Sequence, residues 1–348
     1  MVGSQKKQGL MQGIGNVFIV GNSRSGTTMM LRIMNNHSLV HGINEPHFYG
    51  TYWAPADDGK MLGHAESREL LTKLLTRQRD GFFAEVVPGK FDAEVEAILR
   101  ELPAHADRKD AYATFMAYET RRNGMRIACE KTPQNIFYIS ELQHHFPGAK
   151  VIIMYRDPRA VLLSQKRKWM RKDLGMAGMP DKEVRRLRMN YHPYTIARLW
   201  NSSFDAAMRH KGHPDVLEVR FEDLTRDPEG TMRRVCEGIG IPFEPAMLEV
   251  PHAGSSSAMD DHSKKGIRTD RGESWKKGLE PAEVAICQGT CGSRMAKLGY
   301  EQVPVSPGVL RLAAAWLSFP FKLAGAFVLN LDRMRNMTNT LQRRLKQA

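Results

Sequence analysis

The stretch from Asn16 to Glu45, NVFIVGNSRSGTTMMLRIMNNHSLVHGINE, constrains this chain most, because it passes through strand, tight loop and helix in turn. Val17-Phe18-Ile19-Val20 is a short unbroken apolar run, the pattern of a strand buried on both faces. Gly21 to Thr28 is a loop of small residues. Met29 to Asn36 restores helical spacing, with Met30, Leu31 and Met34 available for one face. Two glycines let the backbone turn tightly into the helix start, where unpaired N–H groups and a partial positive charge form a cradle for phosphate oxygens. No acidic residue lies between Gly21 and Thr28 to oppose an anion.

The loop spacing is close to the nucleoside-triphosphate pattern GxxxxGK[ST], but Thr27 stands where the lysine belongs. Ordinary ATP or GTP chemistry is therefore disfavoured. Arg24 sits inside the loop instead, permanently charged and able to grip an anionic oxygen with two donors.

Later residues bear on the same site. Pro46 disfavours helix at the residue before it, so Glu45 is expected extended, at or just past the end of a second strand. A carboxylate there, beside a phosphate loop, can serve as a general base, with His41 and His47 as rivals and a plain surface glutamate as the bland alternative. Lys131 falls between a strand at Met125–Cys129 and a helix that Thr132 caps and Pro133 opens, running to His145. Lys150–Tyr155, KVIIMY, is a second buried strand that leads into Arg156-Asp157-Pro158-Arg159 and a helix carrying Ser164. An arginine fork and a serine two helical turns along can reach one phosphate.

These motifs together carry a resemblance. RSGTT after a buried strand resembles the 5′-phosphosulfate loop of sulfotransferases that use PAPS (3′-phosphoadenosine 5′-phosphosulfate). The arginine is in the style of the Golgi carbohydrate and tyrosylprotein branch and of bacterial RSGTT-type members; the cytosolic branch has KSGTT. Glu45 follows Arg24 at the offset where those enzymes place their catalytic glutamate. KTP at Lys131 is similar to a motif whose lysine faces the transferring sulfuryl group, and Arg156 with Ser164 resembles the 3′-phosphate motif. Phe221, in FEDL after a strand at Asp215–Arg220, stands where the family has a tyrosine near the adenine. Lys264, Lys265 and Gly266 resemble a segment that closes over the 3′-phosphate, within a 254–272 stretch read as loop.

The resemblance spans residues 16–300. It implies an α/β fold, a P-loop-like parallel sheet flanked by helices, and transfer of a sulfuryl group from PAPS to a hydroxyl or amine acceptor, releasing 3′,5′-ADP. Glu45 is implied as the base, Arg24 and Lys131 as charge stabilisers. Arg24, Ser25, Gly26, Thr27 and Thr28 are implied to hold the 5′-phosphosulfate, and Arg156 and Ser164 the 3′-phosphate. No metal is required. A sugar, a lipid, a tyrosine or a small alcohol all remain open as acceptor. The readings from other classes are a non-catalytic nucleotide-binding regulator and a polyanion-binding module.

Charge placement bears on that last reading. The formal charge of +13 is accounted for by Arg156–Arg188, net +7, and Gly308–Ala348, net +6. Two local patches suit a polyanionic ligand or surface better than a nucleic-acid coat. Cys129, Cys236, Cys287 and Cys291 have no metal-site spacing and are expected as thiols. Residues 1–15 form an N-terminal extension with no apolar signal segment, so a cytoplasmic enzyme is expected. Residues 50–124 read as a helical insertion, with helices at Glu66–Arg79, Asp92–Leu102 and Lys109–Arg122, serving either as an acceptor lid or as ordinary packing. A helix beginning at Leu279-Glu280-Pro281 closes the domain near Gly299-Tyr300.

Residues 301–348 form a basic helical extension. Val309–Leu329 is apolar but interrupted by Arg311, Pro320 and Lys322, which makes it a poor spanning helix. Phe327, Leu331, Met334, Leu341 and Leu345 repeat at helical spacing beside basic residues. Peripheral contact with an anionic membrane, dimerisation and packing on the domain are the three expectations for it.

Overall fold

Val17 to Val20 lie fully buried at the centre of β1 (Gly15–Gly21), the middle strand of a five-stranded parallel sheet ordered β2-β3-β1-β4-β5. Its other strands are β2 (Val40–Asn44), β3 (Ile127–Lys131), β4 (Lys150–Tyr155) and β5 (Val216–Arg220). The computed structural model describes residues 15–81, 84–170, 181–252, 261–267 and 273–334. Parallel pairing demands long crossovers. Helix α1 (Thr27–Asn35) joins β1 to β2, and α2 (His64–Arg79), α3 (Asp92–Glu101) and α4 (Arg108–Arg122) lie between β2 and β3. Helix α5 (Ile139–His145) precedes β4; α6 (Pro158–Lys166), α7 (Asp181–Asn190) and α8 (Pro193–Met208) precede β5. Beyond β5 come α9 (Phe221–Arg226), α10 (Pro228–Ile239), α11 (Pro281–Lys297) and α12 (Val309–Met334).

Side-chain alternation along β1 divides the interior into two cores. Phe18 and Val20 join Ile43, Val151 and Ile153 on one face, under α2, α4 and α8. Val17 and Ile19 join Ile152 and Met154 on the other, under Met30, Ile33 and Met34 of α1 and Met232 and Val235 of α10. The inserted helices serve the first core: Leu71, Leu74, Val95, Ile98, Tyr112 and Phe115 are all buried there. Packing is thus part of what residues 50–124 do. Asp107 and Asp110 cap α4 reciprocally, each carboxylate accepting the other's backbone N–H at 3.1 Å.

Register places the functional positions. Ile19 and Asn44 both lie opposite Lys131, Gly21 opposite Met154, and Tyr155 opposite Arg220. The carboxyl ends of β1, β2, β3 and β4 therefore meet along one edge. The chain crosses over β1 in going from β3 to β4, so this edge is a topological switch point, where open α/β sheets hold their ligands.

Several local expectations change. Strand β3 begins two positions later than Met125, at Ile127, which brings Glu130 and Lys131 into the sheet. The segment after Pro133 opens as a 3-10 turn, Pro133–Tyr138, before α5. Thr132 does not cap it; its hydroxyl donates to Glu130 Oε1 within the strand end. In the segment read as loop, Asp261–Lys265 forms a strand, β7, antiparallel to β6 (Pro251–His252). Helix α12 runs continuously through Pro320 and is long and apolar enough to cross a membrane. Met334 is its last described residue, and Leu341 and Leu345 lie outside the described residues. All four cysteines are buried free thiols.

Candidate active site

The loop after β1 is held by a backbone bond from Ser25 N to Asn22 O (3.1 Å) and by left-handed backbone at Arg24 (φ 78°) and Gly26 (φ 90°). Gly26 is required twice over, since a Cβ there would lie 2.4 Å from Phe221 Cδ2. Helix α1 starts directly behind it with no side-chain cap and no acidic residue in its first turn. Ser25 is fully buried, and its Oγ has no hydrogen-bond partner among the described residues. An uncapped helix start with an unsatisfied hydroxyl beside it fits a phosphate or sulfate group: the first-turn N–H groups and Ser25 Oγ are the donors such an anion needs.

On one side of this cradle stands a buried cation. Lys131 is 1% exposed, and its Nζ donates to Glu45 Oε1 (2.5 Å) and to Thr28 Oγ1 (3.2 Å). Strand alternation sends Lys131 to the face of Cys129, toward α1, and Glu130 to the opposite face with Ala128. Glu45 follows β2 directly. Its N–H donates to Lys131 O (2.8 Å), which extends the sheet ladder by one bond, but its backbone is left-handed (φ 52°), not extended as Pro46 led us to expect. Proline disfavours the right-handed helical region at the preceding residue. The bonds to Lys131 O and Nζ then hold the rarer left-handed one.

His47, also at positive φ (51°), puts Nε2 3.4 Å from Glu45 Oε2. Burial works against ionising Glu45, but the hydrogen bond from His47 and the charge of Lys131 outweigh it and hold the carboxyl well below the usual carboxylate range. The other rival base, His41, sits within β2 opposite Ala128, and Glu119 and Arg122 of α4 act on it electrostatically. The segment carrying Glu45 is also braced by α2. Arg77 Nη1 donates to Pro46 O (2.9 Å), and Gln78 Oε1 accepts from Asn44 N (3.0 Å).

On the other side of the cradle Arg24 Nε donates to Ser164 Oγ (2.8 Å), and Arg156 Nη1 donates to Arg24 O (3.1 Å). The Arg156 guanidinium lies 4.1 Å over the Phe221 ring, and Trp200 Nε1 donates to Arg156 O (2.9 Å). Arg24, Arg156 and Ser164 thus come together as one cationic grip, with Arg24 on this side and Lys131 on the side of Glu45. Phe221 is buried under Arg156 and Gly26, so its ring carries the loop and the guanidinium. Glu222 accepts from Asp157 N (3.0 Å) and from Tyr300 OH (2.7 Å), tying the start of α9 to the turn after β4 and to Tyr300. Lys264 and Lys265 lie on β7. Lys265 Nζ is 3.7 Å from Glu249, and Gly266 N donates to Val250 O (2.8 Å), which ties this segment to Glu249–Pro251.

Sequence reasoning did not find Glu130. It is fully buried on β3, where Asn135 Nδ2 (3.0 Å) and Thr132 Oγ1 donate to its carboxyl. Burial pushes its pKa up to about 8. Trp200 as a brace for Arg156, and His47 as a partner of Glu45 in place of its rival, were likewise missed.

A family model described as Sulfotransferase family matches residues 16–245, and the chain belongs to that family. Among characterised relatives, human carbohydrate sulfotransferase 3 is 27% identical over 165 residues, covering 44% of this chain and 33% of the relative. Protein-tyrosine sulfotransferase A of Caenorhabditis elegans is 23% identical over 298 residues, covering 82% of this chain and 67% of the relative. The first match spans only a third of that relative's length. The sulfotransferase domain of the Synechococcus PCC 7002 olefin synthase superposes with a TM-score of 0.52 at 20% identity, covering 84% of this chain and 97% of that one. That likeness establishes a shared α/β fold.

Proposed function

We propose that the chain transfers a sulfuryl group from PAPS to a hydroxyl, or less readily an amine, and releases 3′,5′-ADP. The observation that carries this reading is the Lys131 ammonium, shared between Glu45 and Thr28 at the rim of an uncapped anion cradle. PAPS, when bound, supplies the sulfuryl group and the 5′-phosphate that leaves. Ser25, Gly26, Thr27 and Thr28 receive the 5′ end through the helix start and Ser25 Oγ. Arg24, expected at the 5′-phosphosulfate, bonds to Ser164 instead, so we assign it with Arg156 and Ser164 to the 3′-phosphate as a fork of donors. Phe221 supports the loop from beneath, and Lys264, Lys265 and Gly266 are outer candidates for covering the nucleotide.

Glu45 accepts the proton of the acceptor hydroxyl as its oxygen attacks sulfur. In the ion pair it is a weak base, because Lys131 holds its charge. An anion in the cradle gives Lys131 a second negative partner, which frees basicity at Glu45 and puts the ammonium beside the oxygen where charge develops. The relatives' names include carbohydrate and protein-tyrosine acceptors, which supports a hydroxyl acceptor without choosing one.

Incubation with sulfur-labelled PAPS and a fractionated lysate tests the reading. Label transfer that is lost in Arg156→Ala is expected. Tight 3′,5′-ADP binding with no transfer to any fraction would favour the regulator instead.

A further inference from the structure

Helix α12 is amphipathic in the reverse sense. Two of its polar residues, Lys322 and Asn330, face the domain: Lys322 Nζ donates to Arg188 O (2.8 Å), Asn330 Nδ2 to Asn190 Oδ1 (2.7 Å), and Arg186 Nη1 to Asn330 Oδ1 (3.1 Å). His192 Nε2 meets Ala315 O at 3.0 Å, and the rings of His192 and Tyr194 lie against Phe319. The outward face is apolar instead. Leu310 is 85% exposed, Leu317 71% and Phe321 76%, and Leu323, Phe327 and Val328 continue it. A surface helix of a soluble domain ordinarily has its apolar stripe inward. An exposed stripe of this length marks an interaction surface.

Charge identifies the partner. Beside the apolar face α7 exposes Lys182, Arg185 and Arg188 against one exposed carboxylate, Asp181, and α12 itself exposes Arg311. The sequence beyond it, 335–348, adds Arg335, Arg343, Arg344 and Lys346 and no acidic residue. Two copies packed face to face would bring these cations against each other, whereas an anionic lipid surface would neutralise them. A crossing helix is also disfavoured. It would have to leave α7 and carry Lys322 and Asn330 into hydrocarbon, without their bonds to Arg188 O, Asn190 and Arg186.

We infer that α12 lies in the plane of an anionic bilayer, with Leu310, Leu317, Phe321, Leu323, Phe327 and Val328 in the acyl boundary and the basic side chains of α7 among the headgroups. This placement does not depend on the sulfotransfer reading.

Flotation of the full chain with vesicles tests it. The protein should rise with phosphatidylglycerol-containing vesicles at low salt, stay down with pure phosphatidylcholine, and be released by alkaline carbonate. Leu317→Asn with Phe321→Asn, both outward, should weaken vesicle binding by about tenfold or more while the thermal melt is kept. Lys182→Glu with Arg185→Glu should remove the preference for anionic lipid. Three results would overturn the inference. They are no flotation with anionic vesicles at low salt, resistance to carbonate (a crossing helix), or a solution dimer that Leu317→Asn with Phe321→Asn converts to monomer.

Discussion

Lys131 Nζ lies 2.5 Å from Glu45 Oε1, so the last residue of β3 neutralises the first residue after β2. Removing the charge of Glu45 while keeping its shape tests what the pair does. Glu45→Gln should lower turnover by roughly 10²–10⁴ with 3′,5′-ADP affinity nearly unchanged. Initial rates and calorimetry give the two numbers, and near-normal turnover would hand the base role to His47.

The same pair predicts a pH dependence of stability. Glu45 titrates below its ordinary value of 4.5 in the folded chain, so the unfolded chain binds more protons as pH falls through that range. Its contribution is present above pH 4.5 and lost below. The difference in urea midpoint between wild type and Glu45→Gln should therefore shrink on acidification. A difference that is constant from pH 7 to pH 3 would contradict the pairing.

Glu130 should behave in the opposite sense. Its folded pKa of about 8 lies above the ordinary 4.5, so between those values the folded chain holds a proton that the unfolded chain has released. Its stabilising effect is complete below pH 4.5 and declines as pH rises through 8. Glu130→Gln, which stays neutral, should gain stability relative to wild type between pH 5 and pH 8. Denaturant titrations at those two pH values decide it.

Arg24, Arg156 and Ser164 form one grip, so 3′,5′-ADP should bind at least about tenfold more tightly than 5′-AMP, since a charge-assisted contact is worth about 1.5–3 kcal/mol. Ser164→Ala should narrow that ratio. Calorimetry giving equal affinities for the two nucleotides in wild type would remove the assignment.

Gly26→Ala should cost stability in two ways, through its positive φ and through the 2.4 Å approach to Phe221. Gly124 also has positive φ (72°) but an added Cβ there meets nothing within 4 Å, so Gly124→Ala reports the backbone cost alone. The Gly26 variant should melt lower than the Gly124 variant and bind 3′,5′-ADP poorly. Equal melting would mean that Phe221 yields without cost.

What the sequence revealed follows from which interactions are local. The unbroken runs at Val17–Val20 and Lys150–Tyr155 could hardly be anything but buried strands. The order of loop, carboxylate, lysine and arginine fixed the candidate site before any contact was visible. Conformations set by distant partners were not readable. Glu45 turns left-handed because Lys131 supplies two bonds from another strand. Thr132 fails to cap because a buried carboxylate takes its hydroxyl. Glu130 looks like a surface charge until the start of β3 moves to Ile127 and turns it inward. In α12 the interruptions at Pro320 and Lys322 read as breaks, yet the helix continues, with Lys322 turned toward α7.

The central position of β1 has a consequence for synthesis. It leaves the ribosome before the other strands of its sheet, and both of its neighbours come much later, β3 from Ile127 and β4 from Lys150. Until then its apolar run has two open edges and no partner, the condition under which nascent chains associate wrongly or recruit chaperones. The two halves of the cationic grip cannot close sooner. Arg24 waits in its loop until Ser164 is made, so a ribosome stalled before that point would carry the cradle without its clasp.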